Sequence, residues 1–152
     1  MLTIVQGNLD DPQVIALLKF HFDTNINVTP PGSVHVFDLS RLQLPDILFW
    51  SAWDERQLVG TGALKLIGQG QGEVKSMHTL IEARGRGVGS TLLRHIIAES
   101  RKRKLKRLYL ETGSFDYFAP ARALYKRHGF SECPAFTGYK PDVNSTFMTL
   151  EL

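Results

Sequence analysis

The 152-residue chain predicts an α/β fold built on a mixed sheet, and three observations carry that reading. Strand-like apolar runs alternate with helix-patterned stretches along most of its length. The polar D-E-R-Q between two β-rich runs marks a hairpin. The glycine-rich turn A-R-G-R-G-V-G-S, residues 83–90, stands directly ahead of a helix with a strong apolar stripe.

Each element follows in order. Residues 2–5 read as a short strand. Asp10-Asp11-Pro12 supplies cap and first-turn residues, after which Val14, Leu17, Leu18 and His21 share one helical face. T-P-P-G at 29–32 breaks the chain, because proline cannot continue helical hydrogen bonding. Residues 33–44 are ambiguous, with a short second helix as the expectation. Residues 47–53 and 58–67 form the hairpin, and G-Q-G-Q-G at 68–72 leads into a third strand at 73–80. Val88, Leu92, Leu93, Ile96 and Ile97 then mark a helix that ends in R-K-R-K. A strand at 108–111, a helix at 119–127 stopped by Gly129, and a terminal strand through 147–150 complete the chain. A short extra strand is expected at 133–136.

This length fits a single domain, residues 1–152, with one core. The fractions of 43% hydrophobic and 22% charged residues are those of an ordinary soluble protein. No apolar run approaches the ~20 residues that span a bilayer, and the N-terminus lacks the pattern of a secretory signal. A cytoplasmic protein without a membrane partner is expected. Cys133 is the single cysteine and the five histidines are scattered, so neither a disulfide framework nor a metal site is expected. R-K-R-K-L-K-R at 101–107 raises the alternative of a nucleic-acid-binding module. Cations at a helix C-terminus also complement its dipole, and no aromatic stacking platform is interleaved, so no nucleic-acid partner is expected.

The glycine turn is the informative stretch. A strand, a tight turn and a helix in succession point unpaired backbone N–H groups at one spot, where an anion such as phosphate binds. Arg84 and Arg86 add charge-assisted donors. The Walker pattern is absent, and a dinucleotide fingerprint starting at Gly85 would need glycine where Ser90 stands.

The spacing Arg84-x-x-Gly87-x-Gly89 resembles the acetyl-CoA signature of the GNAT N-acetyltransferase superfamily. L-Y-K-R-H-G-F at 124–130 resembles the second motif of that superfamily, and the two stand in its order. P-P-G-S-V-H, L-E-T-G, F-A-P-A-R-A-L-Y and N-S-T-F-M-T together look like a small bacterial subfamily of undefined acceptor. The resemblance implies a mostly antiparallel sheet of six to seven strands flanked by about four helices. It implies direct acetyl transfer from acetyl-CoA, with no metal, to an amine on a small or amino-acid-like molecule. A peptide acceptor, or an acetyl-CoA sensor without catalysis, stays open, as does a homodimer.

The same resemblance implies site residues. Arg84, Arg86, Gly87, Val88, Gly89 and Ser90 take the pyrophosphate, and the backbone of Met77 and Thr79 takes the pantetheine arm. Tyr125 lies where the superfamily places a general acid. Glu73 falls where protein-directed members carry a general base, and pairing with Lys75 is its plain structural alternative. Phe118 stands where members often have asparagine. His78 or a water chain are the alternatives to Glu73 as base. His35, Trp50 and His78 are candidate acceptor contacts, with Phe115 and Tyr139 as further aromatic wall and Lys75 or His78 as a partner for a carboxylate. Cys133 is expected to be structural.

Overall fold

The computed structural model describes residues 2–28 and 39–152. Its elements run β1 (Leu2–Gln6), α1 (Pro12–Val28), a 3-10 turn at Leu39–Gln43, β2 (Ile47–Asp54), β3 (Gln57–Gly68), β4 (Gln71–Thr79), a 3-10 turn at Ile81–Ala83, and α2 (Val88–Lys102). They continue with β5 (Arg107–Gly113), a 3-10 turn at Asp116–Phe118, α3 (Ala119–Arg127), β6 (Ser131–Cys133) and β7 (Ser145–Glu151). The seven strands form one sheet in the order β1-β2-β3-β4-β5-β7-β6. Every neighbouring pair is antiparallel except β4 and β5.

Three α-helices are present among the described residues, fewer than the four expected. Of the stretch expected to form a second helix, residues 39–43 make only a 3-10 turn and 33–38 lie outside the described residues. The extra strand lies at Ser131–Cys133 rather than 133–136. Pro134 ends it, because proline has no N–H to give the ladder.

Side-chain alternation along β2 and β3 splits the apolar interior between the two sheet faces. Trp50, Val59 and Leu64 face α2 and α3, packing with Leu92, Leu93, Ile96 and Phe130. Phe49, Leu58 and Ala63 face α1 and meet Val14, Leu17 and Leu18. The single core expected from length is thus two clusters, since helices cover both faces of one sheet. The α2 stripe is buried as its spacing predicts, with Leu92, Leu93 and Ile96 at 0% exposure. Each such side chain contributes about 1.5–3 kcal/mol through burial.

Two irregularities shape the site. Pairing of β4 with β5 covers only Gln71↔Arg107, Gly72↔Leu108 and Glu73↔Tyr109, after which the strands part. On its other edge β4 pairs Lys75 with Ala63 and His78 with Thr61, so three steps on β4 face two on β3. Ser76 takes up the excess with φ at 54°, and its carbonyl accepts a 2.8 Å hydrogen bond from Thr61 Oγ1. Such a bulge re-aims the side chains that follow it. Here it sets His78 on the same face as Glu73 and Lys75.

Candidate active site

Where β4 and β5 separate, the sheet opens into a cleft of about 760 Å³ that runs from the glycine turn to Glu73 and Tyr139. That volume lies within the range of small-molecule sites. Met77, Thr79, Arg84, Gly87, Val88, Gly89 and Ser90 line one end. Glu73, Lys75, His78, Tyr139 and His21 line another part of its wall, and Tyr125 also belongs to the lining.

The glycine turn is built to receive an anion. Gly87 precedes α2 with φ at 80°, a left-handed conformation that glycine adopts without the Cβ penalty, and no side chain caps the helix. The hydrogen bond that opens the helix runs from Thr91 N to Gly87 O at 3.0 Å. The N–H groups of Val88, Gly89 and Ser90 therefore precede the intrahelical ladder, at the positive end of the helix dipole. These uncapped amides fit a pyrophosphate. Arg84 lines this end, whereas Arg86 is absent from the lining and its guanidinium reaches Asp54 on β2 at 3.9 Å. Both partners of that pair are exposed, which makes it weak.

Tyr125 is 7% exposed, on the buried side of α3, with its ring edge-on to Phe130 at 5.8 Å. Burial first, and the charge of Glu111 second, raise its pKa above 10. The phenol stays protonated at neutral pH and is available as a donor. Phe118 also lines the cleft, and its ring lies so close over Gly113 that a Cβ there would overlap it. An apolar wall thus occupies the position of the asparagine that many superfamily members carry.

Glu73 is 4% exposed. Its Oε2 accepts a 2.6 Å hydrogen bond from the Tyr139 hydroxyl and a 3.3 Å contact from Lys75 Nζ. The pairing with Lys75 is present, and Tyr139 joins it from a segment far along the chain. Burial, the Glu73 charge and the hydrogen bond to it all raise the Tyr139 pKa.

His78 stacks on His21 of α1, with ring centroids 4.3 Å apart and planes 14° from parallel. His21 is 7% exposed and its Nε2 is buried without a hydrogen-bond partner. Burial, then the neighbouring His21, push His78 down to about 3. Burial lowers His21 as well, a hydrogen bond to the Thr79 backbone opposes this, and Arg84 adds to the lowering. In the unfolded chain both imidazoles take up a proton near 6.5. In the fold they stay neutral to lower pH, so below 6.5 the unfolded state binds more protons and stability falls with acid. Each imidazole contributes a slope of up to about 1.4 kcal/mol per pH unit, for His78 between pH 6.5 and about 3. Urea midpoints measured from pH 7 to 4 are expected to fall less steeply in His78→Phe than in the parent chain, and parallel slopes would rule the stack out as their origin.

Other expected contacts lie elsewhere. Trp50 is 3% exposed in the cluster under α2, edge-on to His95 at 5.3 Å, and does not line the cleft. It follows Phe49 on β2, and strand alternation turns it to the α2 face. Phe115 is not part of the cleft lining; its carbonyl receives Arg122 at 2.9 Å. His35 lies outside the described residues. Cys133 sits half-buried on β6, with its thiol pushed up by burial, and does not line the cleft. Sequence reasoning missed His21 as a wall residue, although its place on the apolar face of α1 was readable. It also missed Glu111, which lines the cleft from β5 within the noted L-E-T-G stretch.

The model of the acetyltransferase (GNAT) family matches residues 12–130, most of the chain. The chain belongs to the GNAT family. This GNAT protein is 42% identical over 152 residues to the uncharacterized N-acetyltransferase YedL of Escherichia coli K12, covering 100% of this chain and 96% of that one. It is 44% identical over 145 residues to the uncharacterized N-acetyltransferase YsnE of Bacillus subtilis 168, with 95% and 96% covered. A crystal structure from Klebsiella pneumoniae, described as an acyl-CoA N-acyltransferase, superposes with a TM-score of 0.81 at 29% identity, covering 100% and 98% of the two chains. The GNAT protein is accordingly an acetyl-CoA-dependent acyltransferase with the mixed sheet expected of it.

Proposed function

We propose that this GNAT protein moves the acetyl group of acetyl-CoA directly to the primary amine of a small, amino-acid-like acceptor. The observation that carries this reading is the acceptor wall of β4, where Glu73, Lys75 and His78 share one face beside Tyr139.

Acetyl-CoA supplies the activated acyl thioester. The amides of Val88, Gly89 and Ser90, with Arg84, hold its pyrophosphate, while the backbone of Met77 and Thr79 guides the pantetheine arm into the split. Glu73 accepts the proton that the acceptor amine must lose, since an alkylammonium with a pKa of about 10.4 cannot attack a carbonyl. Tyr125 donates its phenolic proton to the departing sulfur. The neutral His21–His78 stack forms the α1 side of the chamber. Lys75, with a third of its side chain exposed, presents its ammonium to an acceptor carboxylate.

The test is acetyl-CoA-dependent thiol release across amino acids, amines lacking a carboxylate, aminoglycosides and peptides. A charge-assisted hydrogen bond to Lys75 is worth about 1.5–3 kcal/mol. Amino acids are therefore expected to exceed the matched decarboxylated amines in kcat/KM by about 10-fold or more. A preference for peptides, or equal rates with and without the carboxylate, would contradict the small-acceptor reading.

A further inference from the structure

Tyr139 reaches Glu73 across 66 residues of sequence, which places the segment between β6 and β7 against the acceptor wall. A local turn delivers it. The Tyr139 amide donates to the Phe136 carbonyl at 3.0 Å, and Gly138 between them has φ at 90°. A four-residue turn of this kind requires a left-handed residue in its third position, which glycine fills. The tyrosine ring is then fixed edge-on to Phe136 at 4.8 Å and to Phe147 of β7 at 5.5 Å. Phe136 in turn stacks on Tyr109 at 4.8 Å, and Tyr109 is the β5 residue paired with Glu73. The hydroxyl is thus held by the turn and by two rings, one of them backed by Tyr109, before it meets the carboxylate. Its 2.6 Å bond to Glu73 has the length of a strong charge-assisted hydrogen bond.

We propose that Tyr139 is a positioning residue for the transfer reaction: with Lys75 it fixes Glu73 through Oε2, leaving Oε1 as the oxygen that meets the acceptor amine. This rests on the reading of Glu73 as proton acceptor. A long flexible carboxylate has two free torsions beyond its Cβ, and a misplaced base loses rate through orientation alone. Both donors act on the same oxygen, so the carboxylate is oriented without being used up. Lys75 Nζ also stands 3.5 Å from the Tyr139 oxygen, which ties the three groups into one unit. Tyr139 therefore acts through Glu73 rather than on the reacting atoms.

Tyr139→Phe retains the ring and removes only the hydroxyl. It is expected to lower kcat with the best acceptor of the panel by about 10-fold, the lower end of what a hydrogen bond to a charged group is worth. Acetyl-CoA affinity should stay close to parental, while loss of a hydrogen bond to a buried carboxylate should lower the melting temperature by only several degrees. Because the effect passes through Glu73, Tyr139→Phe should cost little when added to Glu73→Gln. Equal losses on both backgrounds, or a parent-like Tyr139→Phe, would overturn the proposal while leaving Glu73 as base. A parent-like Glu73→Gln would instead remove the base itself, and with it the role given to Tyr139. A second measurement needs no acceptor: the carbon-13 NMR signal of the Glu73 side-chain carboxyl in the free protein at neutral pH should move in Tyr139→Phe, since a hydrogen-bond donor to its Oε2 is lost. Superimposable signals would overturn the proposal.

Discussion

Tyr125→Phe is expected to lower turnover on the order of 10²- to 10⁴-fold while leaving acetyl-CoA binding almost unchanged. The ring of Tyr125 packs edge-on against Phe130 in the cluster beneath α2 and α3, and phenylalanine keeps that contact. What disappears is the proton, which burial and the charge of Glu111 hold on the oxygen well beyond neutral pH. Without it the sulfur must leave unprotonated or draw on water. Steady-state kinetics with calorimetric acetyl-CoA titration separates the possibilities. A fall in kcat at unchanged affinity marks a proton donor, whereas lost affinity with turnover retained at saturation marks a group that only positions the cofactor. Parent-like kinetics would remove Tyr125 from the reaction.

Much of the fold was legible because the features involved are local. The α2 stripe at Val88, Leu92, Leu93, Ile96 and Ile97 repeats at helical spacing, and all five are buried where the repeat places them. The glycine turn was readable for a similar reason: Gly87 and Gly89 mark a backbone requirement within a few residues. The proposed acceptor wall was less legible because it depends on distant pairings. Nothing in Glu73-Val74-Lys75-Ser76 announces that Ser76 will bulge, since the extra residue is defined only against Thr61 and Ala63 on β3. Tyr139 was visible as an aromatic residue, but its bond to Glu73 depends on how β7 and β4 lie relative to β5. Trp50 shows the converse, for its composition suits a ligand wall and only the strand phase set by β2 sends it to the other face.

The central claim is that the turn at 84–90 carries the pyrophosphate of acetyl-CoA on its backbone amides. Calorimetric titration of acetyl-CoA into Gly89→Val tests it most directly. Gly89 sits in the first turn of α2, and a Cβ there would stand 3.1 Å from Leu124 Cδ2 and 3.9 Å from Thr79 Oγ1, both residues of the cleft wall. The side chain of Leu124 can give by the few tenths of an ångström required, and Gly89 does not hold the left-handed conformation that Gly87 does. The variant is therefore expected to fold, with a melting temperature within a few degrees of the parent. The added branch crowds the approach to the amides of Val88, Gly89 and Ser90, each worth about 1.5–3 kcal/mol when bonded to a charged oxygen. Loss of one or two such bonds predicts affinity lower by about 100-fold. A folded Gly89→Val that binds acetyl-CoA as tightly as the parent would contradict the account.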